Sequence, residues 1–228
     1  MLSDKLKNRW SIKYAPKELS DCVFPESTRV FFENMIDSEY LPHLFLYGAP
    51  GTGKTTVSKI LAEFCRMDPY TINASLDVGK ETLRTTVSEY CSTVGLGGAL
   101  DGTMGKAVLL DEADCMPRQS QEALRGLMDK FQENVSFILT GNYPDKLMEP
   151  IKTRCVCLDL GGSGNKEADT TLAKSITERV RWICQQEEVD FDEKIVNQIV
   201  VKDFPNIRQI IINAEMVLKM KLPVRMVA

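Results

Sequence analysis

Leu44-Phe45-Leu46-Tyr47-Gly48-Ala49-Pro50-Gly51-Thr52-Gly53-Lys54-Thr55-Thr56 runs from an apolar, β-prone tetrapeptide through a glycine-rich turn into a segment of helical period. The turn matches Gly-x-x-x-x-Gly-Lys-[Ser/Thr] in full, and a strand before it with a helix after it is the context in which that motif holds phosphates. Backbone N–H groups of Gly51, Thr52 and Gly53 can turn inward around an anion, and the N-terminus of the following helix adds positive potential. Within the motif Lys54 reaches the β- and γ-phosphates, Thr55 offers its hydroxyl to Mg²⁺ and Thr56 donates to the α-phosphate. The implied ligand is ATP or GTP with Mg²⁺.

Outward from this turn, short apolar runs at residues 44–47, 70–72, 107–110, 135–139 and 156–158 alternate with segments of helical period at 54–65, 80–93 and 118–131. Most of the runs are apolar on both faces, as suits strands of a helix-covered parallel sheet. The alternation predicts an α/β, doubly wound nucleotide-binding core over residues 1–160. At Gly161-Gly162-Ser163-Gly164 the character changes, and no convincing strand follows. Helices are predicted over 167–186, 192–201 and 206–221, with Ile176, Val180 and Ile183 in register on the first and Ile210, Ala214 and Val217 on the last. Residues 161–228 read as a small helical domain hinged on a glycine-rich linker.

With 43% hydrophobic and 26% charged residues, the composition excludes a disordered or collagen-like chain. A net charge of -4 argues against coating nucleic acid through bulk charge, yet leaves room for a basic patch on one face. No apolar run approaches the roughly 20 residues that span a bilayer, and the N-terminal MLSDKLKNRW lacks the apolar stretch of a signal peptide. A cytoplasmic location without membrane partners is the expectation. The seven cysteines are odd in number, scattered and without a C-x-x-C pair, and His43 is the single histidine. Reduced thiols, rather than disulfides or structural zinc, are expected.

A second motif turns binding into hydrolysis. Ala107-Val108-Leu109-Leu110 ends in Asp111-Glu112-Ala113-Asp114, so acids stand at the C-terminal tip of a core strand, where ligands of open α/β sheets bind. Asp111 is expected as a direct or outer-sphere Mg²⁺ partner, and Glu112 as the group that orients and deprotonates the attacking water. The alternative for these acids is capping of the next helix. The letters also suggest the helicases named for them, but those use two tandem motor domains and no second motor is visible here. The run from Val135 ends in Asn142 at the level of the sheet tip, where its amide can bind the nucleophilic water or the γ-phosphate. Arg154 stands at the mouth of the last strand.

The order of the P-loop, Asp111-Glu112-Ala113-Asp114, Thr140-Gly141-Asn142-Tyr143 and Thr153-Arg154-Cys155 resembles the AAA+ ATPases of sliding-clamp loaders. In spelling it is similar to replication factor C small subunits and the phage clamp-loader ATPase subunit. Lys13-Tyr14-Ala15-Pro16 resembles the family's Lys-Tyr-Arg-Pro, and with Asp21-Cys22-Val23 it extends the likeness to roughly residues 9 to 220, weakest between Leu76 and Lys106. The resemblance implies an AAA+ P-loop core with a helical lid, and an ATPase stimulated by DNA and clamp that binds ATP and Mg²⁺ between the two. Ser11, Ile12, Lys13, Tyr14 and Val23 would line the adenine pocket beside Gly51 to Thr56. Asn142 would be sensor 1, Arg154 an arginine finger presented to the ATP of a neighbouring subunit, and Arg208 the sensor 2 arginine at its own γ-phosphate. Each arginine has a surface ion pair as its alternative.

Lys80 and Arg84 share the polar face of one predicted helix, and Arg118, Gln121 and Arg125 that of another. Composition alone reads both as solvated faces. The resemblance implies that Lys80 and Arg84 follow the phosphates of primer-template DNA, in a shape-reading and salt-dependent way, and that Gln121 or Arg125 couples DNA binding to Glu112. Implied partners are the sliding clamp, other clamp-loader subunits in a spiral, and primer-template DNA; a phage protein would work in the host cytoplasm. Ala15 and Thr153 depart from the family's usual arginine and serine. The family's helical collar is not visible, and the lack of a four-cysteine zinc module favours the phage or replication factor C branch. The expected function is opening and loading the sliding clamp onto primer-template DNA during replication. Alternatives are another AAA+ DNA-remodelling ATPase, such as a helicase loader or branch-migration motor, or a subunit that ATP merely switches.

Overall fold

The computed structural model describes residues 8–38, 40–76, 80–93, 105–162 and 165–223. The chain folds as two compact units. One comprises Glu26–Gly48 and Lys54–Leu160; the other takes the N-terminal segment through Pro25, the loop Ala49–Gly53 and the chain from Gly161 onward.

In the first unit β1 (Leu44–Tyr47), β2 (Met67–Asn73), β3 (Gly105–Asp111), β4 (Val135–Gly141) and β5 (Val156–Asp159) form one sheet of order β2-β3-β4-β1-β5. Every pairing is parallel. All seven residues of β4 are buried, as is the interior of β3, because helices cover both faces of a parallel sheet. The outer strand β2 is half exposed and tolerates Pro69, which cannot donate to a ladder. Its pairing with β3 runs from Met67 opposite Gly105 to Asn73 opposite Asp111, beyond the apolar triplet legible in the sequence. The order sets β4 between β1 and β3, so the ends of those three strands share one edge of the sheet.

The Lys54–Phe64 helix buries Val57, Ile60 and Leu61, and the Arg118–Phe131 helix buries Leu124, Leu127, Met128 and Phe131. Lys80–Thr82 continues through a π-helical stretch, Leu83–Val87, into Ser88–Ser92. That widened turn keeps Leu83, Val87 and Cys91 buried. A helix at Glu26–Asp37, with Thr28, Phe32 and Met35 buried at helical spacing, is additional to the elements expected from the sequence.

The second unit packs Lys166–Gln186, Glu193–Asp203 and Ile207–Ala214, the last passing into a π-helical Glu215–Lys219. Asn165, Asp192 and Asn206 cap the three helices through their side chains. The sequence pattern assigns the N-terminal segment to the sheet domain, but the segment packs with these helices, because Trp10 is fully buried in their apolar cluster. The Trp10 backbone N–H donates to Glu215 Oε2 at 2.9 Å. The predicted linker residues Ser163 and Gly164 lie outside the described residues. Among the described residues no helix is long and apolar enough to cross a membrane.

Glu187, just past the long Lys166–Gln186 helix, ties the N-terminal segment down. Its Oε1 accepts from Lys13 Nζ at 2.5 Å and from the Tyr14 hydroxyl at 2.8 Å, and its Oε2 accepts from Lys219 Nζ at 2.6 Å. Burial alone pushes this carboxyl up, but the Lys13, Lys219 and Tyr14 hydrogen bonds outweigh it and hold the group down at about 2. A depressed carboxyl stabilises the fold above its ordinary value of 4.5 and loses that contribution as pH falls towards the folded value. Glu187→Gln should therefore lower unfolding free energy at pH 7, and the gap from wild type should close between about pH 4.5 and pH 2 in denaturant titrations.

Candidate active site

Within the sheet unit, the parts predicted to handle phosphate and metal gather at the ends of β1, β3 and β4. Lys54, 8% exposed, donates from Nζ to the Gly48 carbonyl at 2.9 Å, so the lysine folds back over the turn that precedes it. Thr55 Oγ1 lies 2.7 Å from Asp111 Oδ1. A hydroxyl and a carboxylate converging in this way are hard oxygen donors of the kind Mg²⁺ takes, so the residues fit the ion the motifs imply. Glu112 adopts a left-handed backbone, φ 57° and ψ 42°, unusual for a residue with a Cβ and typical of strain held at functional sites.

Thr140, the residue before Gly141 at the end of β4, is a site residue that motif reading passes over. Its hydroxyl donates to Asp111 Oδ1 at 2.5 Å while accepting the Glu112 N–H at 3.1 Å. One hydroxyl thus fixes both the carboxylate expected at the metal and the peptide of the expected base. In the sequence it shows only as a polar residue near the end of a mostly apolar run and as the first letter of Thr140-Gly141-Asn142-Tyr143. Asp114 answers from the other side: its Oδ2 accepts the N–H groups of Asn142 and Tyr143, each at 3.0 Å. The Asn142 backbone is therefore held beside the β3 tip.

Arg154 is engaged within the same unit. Its Nε and Nη2 contact the two carboxylate oxygens of Asp129 at 2.6 and 3.2 Å, and Nη1 donates to the Pro150 carbonyl. These hydrogen bonds hold the Asp129 carboxyl below its ordinary range. Gln121, read from sequence as part of a polar helix face, is 4% exposed. Its amide donates to the carbonyls of Met116 (3.0 Å) and Lys146 (3.1 Å) and accepts from the Met148 N–H at 2.8 Å, so it braces the loop after β4 rather than meeting solvent. Arg118 pairs with Glu122 and Arg125 with Asp129 on the exposed side of that helix. Arg84 is exposed on its helix; the side chain of Lys80 lies outside the described residues.

Within the helical unit, the loop Ala49–Gly53 meets the start of the Ile207–Ala214 helix. The Arg208 N–H donates to the Gly51 carbonyl at 3.2 Å, and Asn206 Oδ1 caps the helix through the Gln209 N–H at 2.9 Å. A Cβ on Gly51 would lie 1.9 Å from Asn206 Oδ1, and the backbone there has φ +80°, so glycine is required on both counts. The Arg208 side chain is exposed. Of the residues expected around the base, Lys13 and Tyr14 direct their polar ends to Glu187, Val23 packs on the helical cluster, Ser11 is half-buried and Ile12 is 53% exposed.

The five-stranded parallel sheet and its glycine-rich turn define a P-loop protein of the AAA class. Residues 44–158 match the family described as ATPase family associated with various cellular activities (AAA), and the chain belongs to that family. It is 34% identical over 195 residues to the replication factor C small subunit of Staphylothermus marinus, covering 83% of this chain and 56% of that protein. It is 31% identical over 202 residues to the sliding-clamp-loader large subunit of Escherichia phage RB69, covering 87% and 61%. The chain thus spans little more than half the length of these relatives. The fold is similar to that of Thermotoga maritima RuvB, a Holliday junction branch migration motor, with a TM-score of 0.66 at 18% identity over 94% of this chain and 70% of that one.

Two substitutions test the geometry. Gly51→Ala should abolish nucleotide binding and lower the melting temperature, as read by nucleotide titration and thermal unfolding. Thr140→Val keeps the shape but removes the hydroxyl; hydrolysis should fall about 10–100-fold with nucleotide affinity nearly unchanged, as for other groups that orient a metal ligand.

Proposed function

We propose that this chain is the ATP-hydrolysing subunit of a sliding-clamp loader, opening the clamp and leaving it on primer-template DNA during replication. The observation that carries the reading is the junction of Thr55, Asp111, Thr140 and Glu112 at the sheet tip. The likeness to replication factor C and phage clamp-loader subunits supports a clamp loader as the machine in which that chemistry works.

In this reading the sheet unit, Glu26–Gly48 with Lys54–Leu160, is the nucleotide-binding core, and the helical unit, with the N-terminal segment and the loop Ala49–Gly53, is the lid. Lys54 neutralises the β- and γ-phosphates, the Gly51, Thr52 and Gly53 amides and Thr56 cradle them, and the segment Ser11, Ile12, Lys13, Tyr14 with Val23 borders the adenine. Thr55 and Asp111 would hold Mg²⁺, which would supply positive charge at the transferring phosphoryl group. Glu112 takes the proton of the attacking water and Asn142 orients that water or the γ-phosphate. Arg208 acts on the γ-phosphate of its own subunit. Arg154 exchanges Asp129 for the γ-phosphate of a neighbouring subunit, one bidentate oxyanion for another. Lys80 and Arg84 follow DNA phosphates. The partners are the clamp, further loader subunits and primed DNA, in the cytoplasm.

Steady-state ATP hydrolysis, with primed DNA and the cognate clamp added singly and together, tests the assignment. The two additions should act synergistically; simple additivity, or strand displacement without a clamp, rejects clamp loading. Glu112→Gln should retain ATP binding and lose about 10²–10⁴-fold in turnover. Arg154→Ala should lose about 10³-fold or more of the stimulated rate, again with binding retained. Normal stimulated turnover in Arg154→Ala rules out action in trans.

A further inference from the structure

Asp114 is a buried carboxylate of the sheet unit, 4% exposed, in the short helical turn Ala113–Cys115 that follows Glu112 directly. A charge removed from water is costly unless hydrogen bonds replace its hydration. Asp114 Oδ2 takes two, both from backbone, and the donors are Asn142 and Tyr143. Oδ1 has no partner among the described residues and lies 3.0 Å from where a Cβ on Gly141 would be, so the carboxylate approaches the end of β4 closely because Gly141 has no side chain. The connection in the opposite direction is Thr140, which leaves β4 to meet Asp111 and the Glu112 N–H.

We propose that Asp114 is a positioning residue for hydrolysis: it sets Asn142 in register with Glu112, and together with Thr140 it latches the β3 and β4 tips so that the two groups move as one. The inference rests on the reading of Glu112 and Asn142 given above. An acid serves here where an amide does not. In Asp114→Asn one of the two terminal positions becomes an NH₂ group. At Oδ1 it meets no acceptor among the described residues, and at Oδ2 it faces two N–H donors. Asp114 touches neither phosphate nor metal in this scheme, so its removal should change turnover and leave nucleotide binding alone.

The test compares Asp114→Asn, Asn142→Ala and the double variant of the full chain. It reads the maximal ATP hydrolysis rate, ATP affinity, and NMR exchange of the Asn142 and Tyr143 amides. Asp114→Asn should lower the maximal rate about 10-fold or more, as loss of a group that orients a site residue does. ATP affinity should stay within about 3-fold, and both amides should exchange faster. Because Asp114 acts through Asn142, the double variant should be no slower than Asn142→Ala alone. Faster exchange with an unchanged rate, or rate losses that multiply in the double variant, overturns the proposal. If Asn142→Ala itself turns over normally, the reading of Asn142 fails and the proposal fails with it. Should Asp114→Asn not fold, Gly141→Ala presses a methyl group against Oδ1, and against the Phe45 ring beside it, while keeping the charge. It should reproduce the rate loss, and a normal rate there overturns the proposal equally.

Discussion

A carboxylate withdrawn from water has to be met by donors, and the tip of β3 places Asp111 and Asp114 within four residues of each other. The sheet order answers that demand by putting β4 alongside, where the Thr140 hydroxyl reaches one acid and the Asn142 and Tyr143 amides reach the other. Thr55, from the helix that follows the P-loop, completes the set on Asp111. The satisfaction of two buried or half-buried acids thus brings three segments, far apart in the chain, to one place. Chemistry on a phosphoryl group needs little more from a protein than such fixed positions and fixed charge.

The helical unit solves a different problem with similar means. Its own three helices bury an apolar stripe, and Trp10 from the distant N-terminus fills that cluster. Charge then fixes the approach, since Glu187 gathers two ammonium groups and a phenol. At the other end of the unit, Asn206 caps a helix and at the same time leaves no room for a side chain at Gly51. A helix cap has become part of the wall of a phosphate loop.

The strands and most helices are legible in the sequence because each is a run of apolar residues with its own period, and burial in a helix-covered sheet rewards that pattern locally. The Glu26–Asp37 helix carries the same spacing but adjoins no motif that marks it out. Gln121 departs from its sequence reading for a physical reason: a polar residue on a helix reads as solvent-facing, whereas here three backbone partners at Met116, Lys146 and Met148 sustain its burial. Thr140 and Asp114 are in plain sight as letters, but their partners lie in distant segments of the chain.

By itself the sequence determined the phosphate loop, the acids at the end of β3 and the amide at the end of β4, because the chemistry of each is written in contiguous residues and in the strand-then-turn context around them. Only the tertiary structure decided which hydroxyl serves Asp111, which carboxylate tethers Asn142, what Arg154 grips in its own chain, and that the N-terminal segment belongs with the helices. Those are pairings between segments, set by strand order and by the need of each buried polar group for a partner, and no local pattern encodes them.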